Sequence, residues 1–296
     1  MDYFSVIQNF YSGNYAQVLQ EIEKAGGPSD DTLLFYELKT EIALGTYHPK
    51  STTSKLSHAA DLYYQFLTSR DPSDIEAKTN LDSSTPYELN FLATAQAIAG
   101  KLEESLQTCV HGIDGDETLG VTELVLLAIQ VALLSGQHQV ALTIYNNYNA
   151  SIEETRTSES EIMMNLAESY IKFATNVGTR TSNFYYFEEL SHSLPSWSTQ
   201  LGLLNLHLQQ GNIEEAKGIV DLLESDYYSV EQKKEAELFA AHFLANKITL
   251  ALMEGTGDVN ALRSEIRELD PDHEFVKNEM DANAKFDELV ATFDNE

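Results

Sequence analysis

The sequence predicts an all-α fold, a right-handed α-solenoid of degenerate tetratricopeptide-like helix pairs that ends in a C-terminal capping helix. Apolar residues recur at helical spacing, and no sustained alternation typical of strands is present. A glycine turn also recurs between the helical segments, at Gly13-Asn14-Tyr15, Gly45-Thr46-Tyr47, Gly100-Lys101-Leu102, Gly136-Gln137-His138 and Gly211-Asn212-Ile213. Because each turn joins two helices that bury their faces only against neighbours, the pattern indicates stacked repeats.

The spacing of these turns sets the number of repeats. Successive turn glycines lie 32, 55, 36 and 75 residues apart. The last interval is about twice a tetratricopeptide unit of roughly 34 residues, so it predicts a degenerate turn near residues 175–181. Residues 163–174 and 183–190 are then the two helices on either side of that turn. The chain therefore reads as about seven helix pairs in a single domain, residues 1–296.

The 55-residue interval contains an insertion. A broad apolar face predicts a helix over residues 55–67, and residues 70–84 read as a polar loop. The next helix begins at Thr85-Pro86-Tyr87-Glu88, where a hydroxyl at the N-cap, a proline at the first helical position and a glutamate form a capping box. Further N-caps are predicted at Asn212 and at Ser229, the latter before a long helix.

The C-terminal segment, residues 270–296, is predicted to cap the array. Asp270-Pro271-Asp272 ends the repeats, and the helix that follows carries an apolar stripe of Phe286, Leu289, Val290 and Phe293. A repeat array needs a terminal element that covers its last apolar face. We therefore expect this stripe to lie on the final helix pair.

Composition excludes several classes of function. The formal net charge is -29, from 47 acidic and 18 basic residues, which repels phosphate backbones and anionic lipids. Neither nucleic-acid binding nor direct membrane insertion is expected. Two explanations of the charge stay open, namely solubility of an exposed helical surface and an acidic surface complementary to a basic partner. The start of the chain lacks the pattern of a signal peptide, so we expect a cytoplasmic protein.

No catalytic, cofactor-binding or metal site is predicted. The eight histidines are scattered, and the single cysteine, Cys109, has no basic activator nearby in sequence, so it reads as a core residue. Among the aromatic runs, Phe184-Tyr185-Tyr186-Phe187 cannot place four adjacent rings on one helix face. One of these four rings is expected to point outward.

Both ends and the middle of the chain carry residues that resemble a known family. Near the N-terminus these are Phe4, Val6, Phe10, Tyr11, Gly13, Tyr15 and Glu21. The middle contributes Leu166-Ala167-Glu168-Ser169-Tyr170-Ile171-Lys172, and the C-terminus His273, Phe275, Val276, Lys277 and Ala284-Lys285-Phe286-Asp287-Glu288-Leu289-Val290. Together they resemble the coatomer epsilon subunit family over essentially the whole chain.

The resemblance implies a function that composition does not reveal. Members of this family belong to the COPI vesicle coat and act as helical scaffolds rather than enzymes. They pair with the C-terminal region of the alpha subunit in transport between Golgi and endoplasmic reticulum and within the Golgi. The resemblance therefore implies a cytoplasmic protein that is peripheral on Golgi and COPI vesicle membranes through the coat.

In a tetratricopeptide array the first helix of each pair lines the concave side, and the register of each helix follows from its turn glycine. The predicted groove residues are Tyr87, Asn90, Thr94, Glu123, Leu126, Gln130, Met164, Glu168, Ser198, Leu201 and Asn205. An ordinary packing or solvated position is the alternative for each of them. The family resemblance implies that the array encircles a segment of the alpha subunit.

A second hypothesis is a tetratricopeptide adaptor or co-chaperone that binds a peptide tail in its concave groove. Capture of a terminal carboxylate requires Lys, Arg and Asn donors on successive first helices. These helices instead offer mostly Glu, Gln, Leu and Ala, which favours the coat subunit.

Overall fold

The computed structural model describes residues 3–49, 54–176 and 182–293, and in this part of the chain every regular element is helical. The predicted all-α class is therefore confirmed. The helices are α1 Phe4–Tyr11, α2 Tyr15–Lys24, α3 Asp31–Ala43, α4 Lys55–Ser69, α5 Ser73–Lys78, α6 Pro86–Ile98, α7 Leu102–Ile113, α8 Val121–Leu134, α9 His138–Ser151, α10 Ser158–Thr175, α11 Ser182–Ser193, α12 Trp197–Gln210, α13 Ile213–Leu223, α14 Lys233–Glu254, α15 Val259–Leu269 and α16 Glu274–Phe293.

The five repeated glycine turns share one hydrogen-bonding pattern. Each glycine has a positive φ, between 66° and 81°, a conformation that glycine adopts without steric strain. The residue after each glycine donates its N–H to the carbonyl five residues earlier, as Lys101 does to Gln96 at 2.9 Å and Gln137 does to Ala132 at 2.8 Å. This Schellman-type closure satisfies the last carbonyls of one helix and starts its partner.

Local capping chemistry sets some helix starts, but not all. The Thr85 side chain accepts the Glu88 N–H at 3.4 Å with proline at the start of α6, as predicted, but the return bond of the predicted capping box, from the Thr85 N–H to the Glu88 side chain, is not formed. The prediction at Ser229 is wrong, because Ser229 lies inside a π-helical turn, Tyr227–Glu231, and α14 begins after it without a side-chain cap. Asn212 occupies the N-cap position of α13 but makes no side-chain cap bond.

The predicted polar loop at residues 70–84 is partly structured. It contains α5, Ser73–Lys78, and a 3₁₀ turn, Leu81–Ser83. Ile75 is fully buried in the core next to α4 and α6, and Lys101 forms a salt bridge with Glu76 at 2.9 Å. The segment therefore packs as part of the fold. The predicted degenerate turn near residues 175–181 lies mostly outside the described residues.

The chain divides into two compact units, Met1–Tyr186 and Phe187–Glu296. In the first unit, consecutive helices from α1 to α4 and from α6 to α10 pack against each other. The first helices of successive pairs also pack side by side, as α6 does with α8 and α8 with α10, and α1 contacts α10. The continuous solenoid over residues 1–296 remains a prediction.

The second unit is built on α12 and α14. Trp197 is buried at the start of α12, where its Nε1–H donates to the Tyr228 carbonyl at 3.1 Å and its ring meets Phe243 edge to face. Helix α14 packs against α12, α13 and α15. A separate apolar cluster joins α14 to α15 and α16, and its buried members are Leu244, Ile248, Ile266 and Val276. The core therefore extends only to the first turns of α16.

The C-terminal helix differs from the predicted cap. Val276 is buried, but the exposed fractions of Phe286, Leu289 and Val290 are 65%, 60% and 40%. The expectation that their stripe covers the last helix pair is wrong for these three residues, because α16 continues beyond its contact with α15. The Phe293 side chain lies outside the described residues.

Candidate functional site

The predicted groove residues fall into two groups by exposure. Those accessible in part are Thr94, Gln130, Glu168, Ser198 and Asn205. Those buried are Tyr87, Asn90, Glu123, Leu126, Met164 and Leu201. In each of α6, α8 and α12, the residue six positions before the turn glycine is half-buried. These residues are Thr94, Gln130 and Asn205. Their role in partner binding remains a prediction.

Three of the buried residues come together in one polar cluster. The Tyr87 hydroxyl donates to Glu123 Oε1 at 3.4 Å and lies within hydrogen-bond distance of Thr32 Oγ1, at 3.2 Å. Asn90 Nδ2 donates to the Glu123 backbone carbonyl at 3.3 Å. Thr32, Tyr87 and Glu123 each lie 13 residues before their own turn glycine. Equivalent positions of three successive first helices therefore lie side by side.

Two further residues of this cluster come from α3, and the sequence prediction missed both of them as well as Thr32. The Tyr36 hydroxyl donates to Glu123 Oε1 at 2.8 Å, and Lys39 Nζ donates to Asn90 Oδ1 at 2.9 Å. Lys39 lies six residues before Gly45, as Thr94 does before Gly100, so the same register applied to α3 would have found Lys39. We call Thr32, Tyr36, Lys39, Tyr87, Asn90 and Glu123 the Glu123 cluster.

Burial controls the protonation of the Glu123 cluster. Loss of solvent raises the pKa of Glu123, while the hydrogen bond from Tyr36 works in the opposite direction. Burial lowers the pKa of Lys39 to about 8, against a smaller opposing effect of the Glu123 charge. Burial and the Glu123 carboxylate raise the pKa of Tyr36 well above its ordinary value. The phenol thus stays a hydrogen-bond donor at neutral pH.

Aromatic rings surround the charged groups of the cluster. Phe35 and Tyr87 stack with ring centroids 4.4 Å apart. Lys39 Nζ lies 5.3 Å from the centroid of the Phe35 ring and 5.8 Å from that of Phe91. Cation–π attraction and the Asn90 carbonyl therefore replace part of the lost solvation of the ammonium group. The arrangement joins α3, α6 and α8 and is suited to holding helices together.

The comparisons with known proteins decide the family. The model of the family described as "Coatomer epsilon subunit" matches residues 2–294. A relative from Saccharomyces cerevisiae (strain ATCC 204508 / S288c), "Coatomer subunit epsilon", is 56% identical over 294 residues, which is 99% of this chain and 99% of the relative. The chain belongs to the coatomer epsilon subunit family. The predicted family resemblance is thus confirmed.

Coatomer epsilon subunits are components of the COPI vesicle coat, so this chain is a structural coat component. The family assignment favours the coat-subunit hypothesis over the co-chaperone.

Cys109 is fully buried, and burial raises the pKa of its thiol, as expected for the core residue predicted from the sequence. Within the described residues, no three His, Cys, Asp or Glu side chains are grouped so as to hold a metal ion.

The length and hydropathy of the helices in this member of the coatomer epsilon subunit family decide whether one of them could cross a membrane. No helix in the described ranges is both long and apolar enough to cross a bilayer.

In the run 184–187, the Tyr185 side chain is the exposed one, with an exposed fraction of 64%, whereas the other three are half-buried. The prediction that one of the four rings points outward is therefore confirmed.

Proposed function

We propose that this chain is a scaffold subunit of the COPI coat that binds and stabilises the C-terminal region of the alpha subunit. Through that contact it supports Golgi-to-endoplasmic-reticulum and intra-Golgi transport, as a cytoplasmic protein held on Golgi and vesicle membranes by the coat. The observation that carries the proposal is the family match over nearly the whole chain. The acidic surface implied by the net charge of -29 suits a partner with basic residues.

The predicted groove is the proposed contact surface, and burial decides where a partner reaches it first. In the first unit the accessible positions are Thr94 and Gln130, with Lys39 at the equivalent place on α3. The Glu168 side chain on α10 is 43% exposed. These residues offer hydroxyl, amide, ammonium and carboxylate groups for orienting hydrogen bonds.

The buried groove residues have a supporting role in the proposal. Tyr87, Asn90 and Glu123 hydrogen-bond to one another or to α3, so they fix the positions of the helices that carry Thr94 and Gln130. Contact of a partner with their side chains would require separation of these helices and exposure of the apolar core around them. In the second unit, Ser198 and Asn205 are accessible in part on α12, whereas Leu201 is buried.

The direct test is binding of the full chain to the recombinant C-terminal region of the alpha subunit, measured by calorimetry. We expect a stable complex, and Gln130→Arg to weaken it at least tenfold because a bulky cation replaces an amide at the contact. A matched control, Glu104→Arg on α7, places the same cation at an exposed position outside the predicted groove. No complex with the wild-type chain would refute the proposal, and equal effects of the two variants would refute the groove.

A further inference from the structure

Helix α16 has a docked beginning and a solvent-exposed remainder. Phe275 and Val276 belong to the apolar cluster with α14 and α15. Glu279 then forms salt bridges with Arg263 at 2.8 Å and with Arg267 at 3.0 Å. From residue 280 to residue 292 every side chain is exposed. The helix therefore extends about 20 Å, at 1.5 Å per residue, beyond its last buried contacts.

The exposed part of α16 is amphipathic. Phe286, Leu289 and Val290 are spaced i, i+3 and i+4, so they form one stripe on the helix. The stripe continues the face that starts at Phe275 and Glu279, because steps of three and four residues through Ala282 connect them. Apolar burial is the main favourable contribution to association, and this stripe remains exposed in the chain alone.

The side chains beside the stripe indicate which partner fits it. Residues 281–292 contain Asp281, Asp287 and Glu288 against the single cation Lys285. A second copy of α16 would bring the same excess of negative charge, so pairing of two such helices is disfavoured. A groove with an apolar floor and Lys or Arg at its rim is complementary to both features.

We propose that residues 281–292 of α16 insert their apolar stripe into a basic-rimmed groove of the coat subunit that this chain binds, in a helix-in-groove contact. The inference rests on the proposed function and names a second contact surface for the same partner, separate from the predicted groove. The docked first turns of α16 supply the helix start, since an isolated helix of this length is only marginally stable in water.

The test uses the full chain with Phe286→Ser and Leu289→Ser together, and the recombinant C-terminal region of the alpha subunit as the partner. Because both side chains are already exposed, the variant should unfold at the wild-type temperature while its Kd rises at least tenfold. A matched control, Ala284→Ser, introduces a hydroxyl at an exposed position of α16 outside the stripe. The control should bind like the wild type, and wild-type binding should weaken with added salt.

The outcomes separate the inference from the function on which it rests. If the wild-type chain binds the alpha region and the double variant binds equally well, the docking role of α16 is refuted and the proposed function stands. If the wild-type chain does not bind the alpha region at all, the proposed function fails. Concentration-dependent dimerisation of the chain that the double variant abolishes would assign the stripe to a second copy and overturn the inference.

Discussion

The hydroxyl of Tyr36 on α3 donates a 2.8 Å hydrogen bond to the buried carboxylate of Glu123 on α8, across 87 residues of sequence. The same oxygen of Glu123 also accepts from Tyr87 on α6. One carboxylate thus joins the first helices of three successive pairs. Because the carboxylate is buried, its loss leaves donors without a partner where water does not reach them.

Removal of the Glu123 carboxylate should destabilise the chain strongly. Glu123→Ala removes the acceptor of the Tyr36 and Tyr87 hydroxyls. It also removes the negative charge near the Lys39 ammonium. We therefore expect a loss of about 3 kcal/mol in the free energy of unfolding. Urea denaturation followed by far-UV circular dichroism measures it. Glu168→Ala is the matched control, because its salt bridge to Lys172 is solvent-accessible and worth less than about 1 kcal/mol. Equal losses in the two variants would contradict the structural role of Glu123.

Stability should depend on the titration of Lys39. Its pKa is lowered to about 8 in the folded chain and is near the ordinary value of about 10.4 when unfolded. Between these values the unfolded state binds more protons, so the Lys39 contribution to stability rises with pH, by at most about 1.4 kcal/mol per unit. Relative to Lys39→Met, the wild type should gain stability from pH 8 to pH 9.5. Lys24→Met, at a lysine that is 63% exposed, is the control.

Two glycines within helices should respond to alanine in opposite directions. A Cβ atom at Gly112 on α7 would lie 2.5 Å from a Leu124 methyl carbon and 2.7 Å from one of Leu89, so Gly112→Ala should destabilise by about 1–3 kcal/mol. At Gly218 on α13 the added Cβ would have no atom within 4 Å apart from its chain neighbours and the backbone of its own helix, so Gly218→Ala should stabilise by about 0.5–1 kcal/mol. Urea denaturation of both variants checks the signs. Stabilisation by Gly112→Ala would show that α7 does not pack this closely against α6 and α8.

Acid should weaken the second unit through a histidine pair. The Phe275 N–H donates to His273 Nδ1, so His273 carries its proton on Nε2 and donates it to His242 Nδ1 at 3.0 Å. Partial desolvation and the neighbouring His273 lower the pKa of His242, although its side chain keeps contact with solvent, against an opposing effect of Asp270. The folded state therefore binds fewer protons than the unfolded state below pH 6.5, and stability falls as pH drops through the lowered pKa.

The measurement for the histidine pair is urea denaturation between pH 7 and pH 5, followed by the fluorescence of Trp197, the single tryptophan of the chain. We expect His242→Gln to lose less stability over this range than the wild type. The control variant, His58→Gln, changes an exposed histidine of the first unit and should behave like the wild type. A wild-type slope in His242→Gln would exclude the pair as the source.

The turns could be predicted from sequence because their chemistry is local. A glycine with positive φ followed by the Schellman-type bond involves only six neighbouring residues, as at Gly100, and the Thr85 cap involves four. Ser229 has the same local signature as a cap, yet the buried Tyr228 ring and the bond from Trp197 hold that segment in a π-helical turn. Contacts 31 residues away decide the outcome there.

The burial of the groove-facing residues could not be predicted in the same way. Periodicity identifies which face of α6 or α8 is apolar, but not whether that face meets solvent, a partner or another first helix. Glu123 is predicted to face the groove, and only the position of Tyr36 beside it shows that its side chain is buried. Likewise, Phe286 and Leu289 have the spacing of a packed face. They are exposed because α16 continues beyond its contact with α15, and the spacing within α16 does not reveal where that contact ends.

The contact between α1 and α10 makes the two ends of the first helical series depend on each other. In a linear array, unfolding starts at an end and proceeds one repeat at a time. Here, detachment of α1 would also uncover α10, so fraying from the N-terminus carries a penalty at the far end of the unit. Amide hydrogens of α1 should therefore exchange with solvent at rates close to those of α10, rather than much faster as at a free terminus.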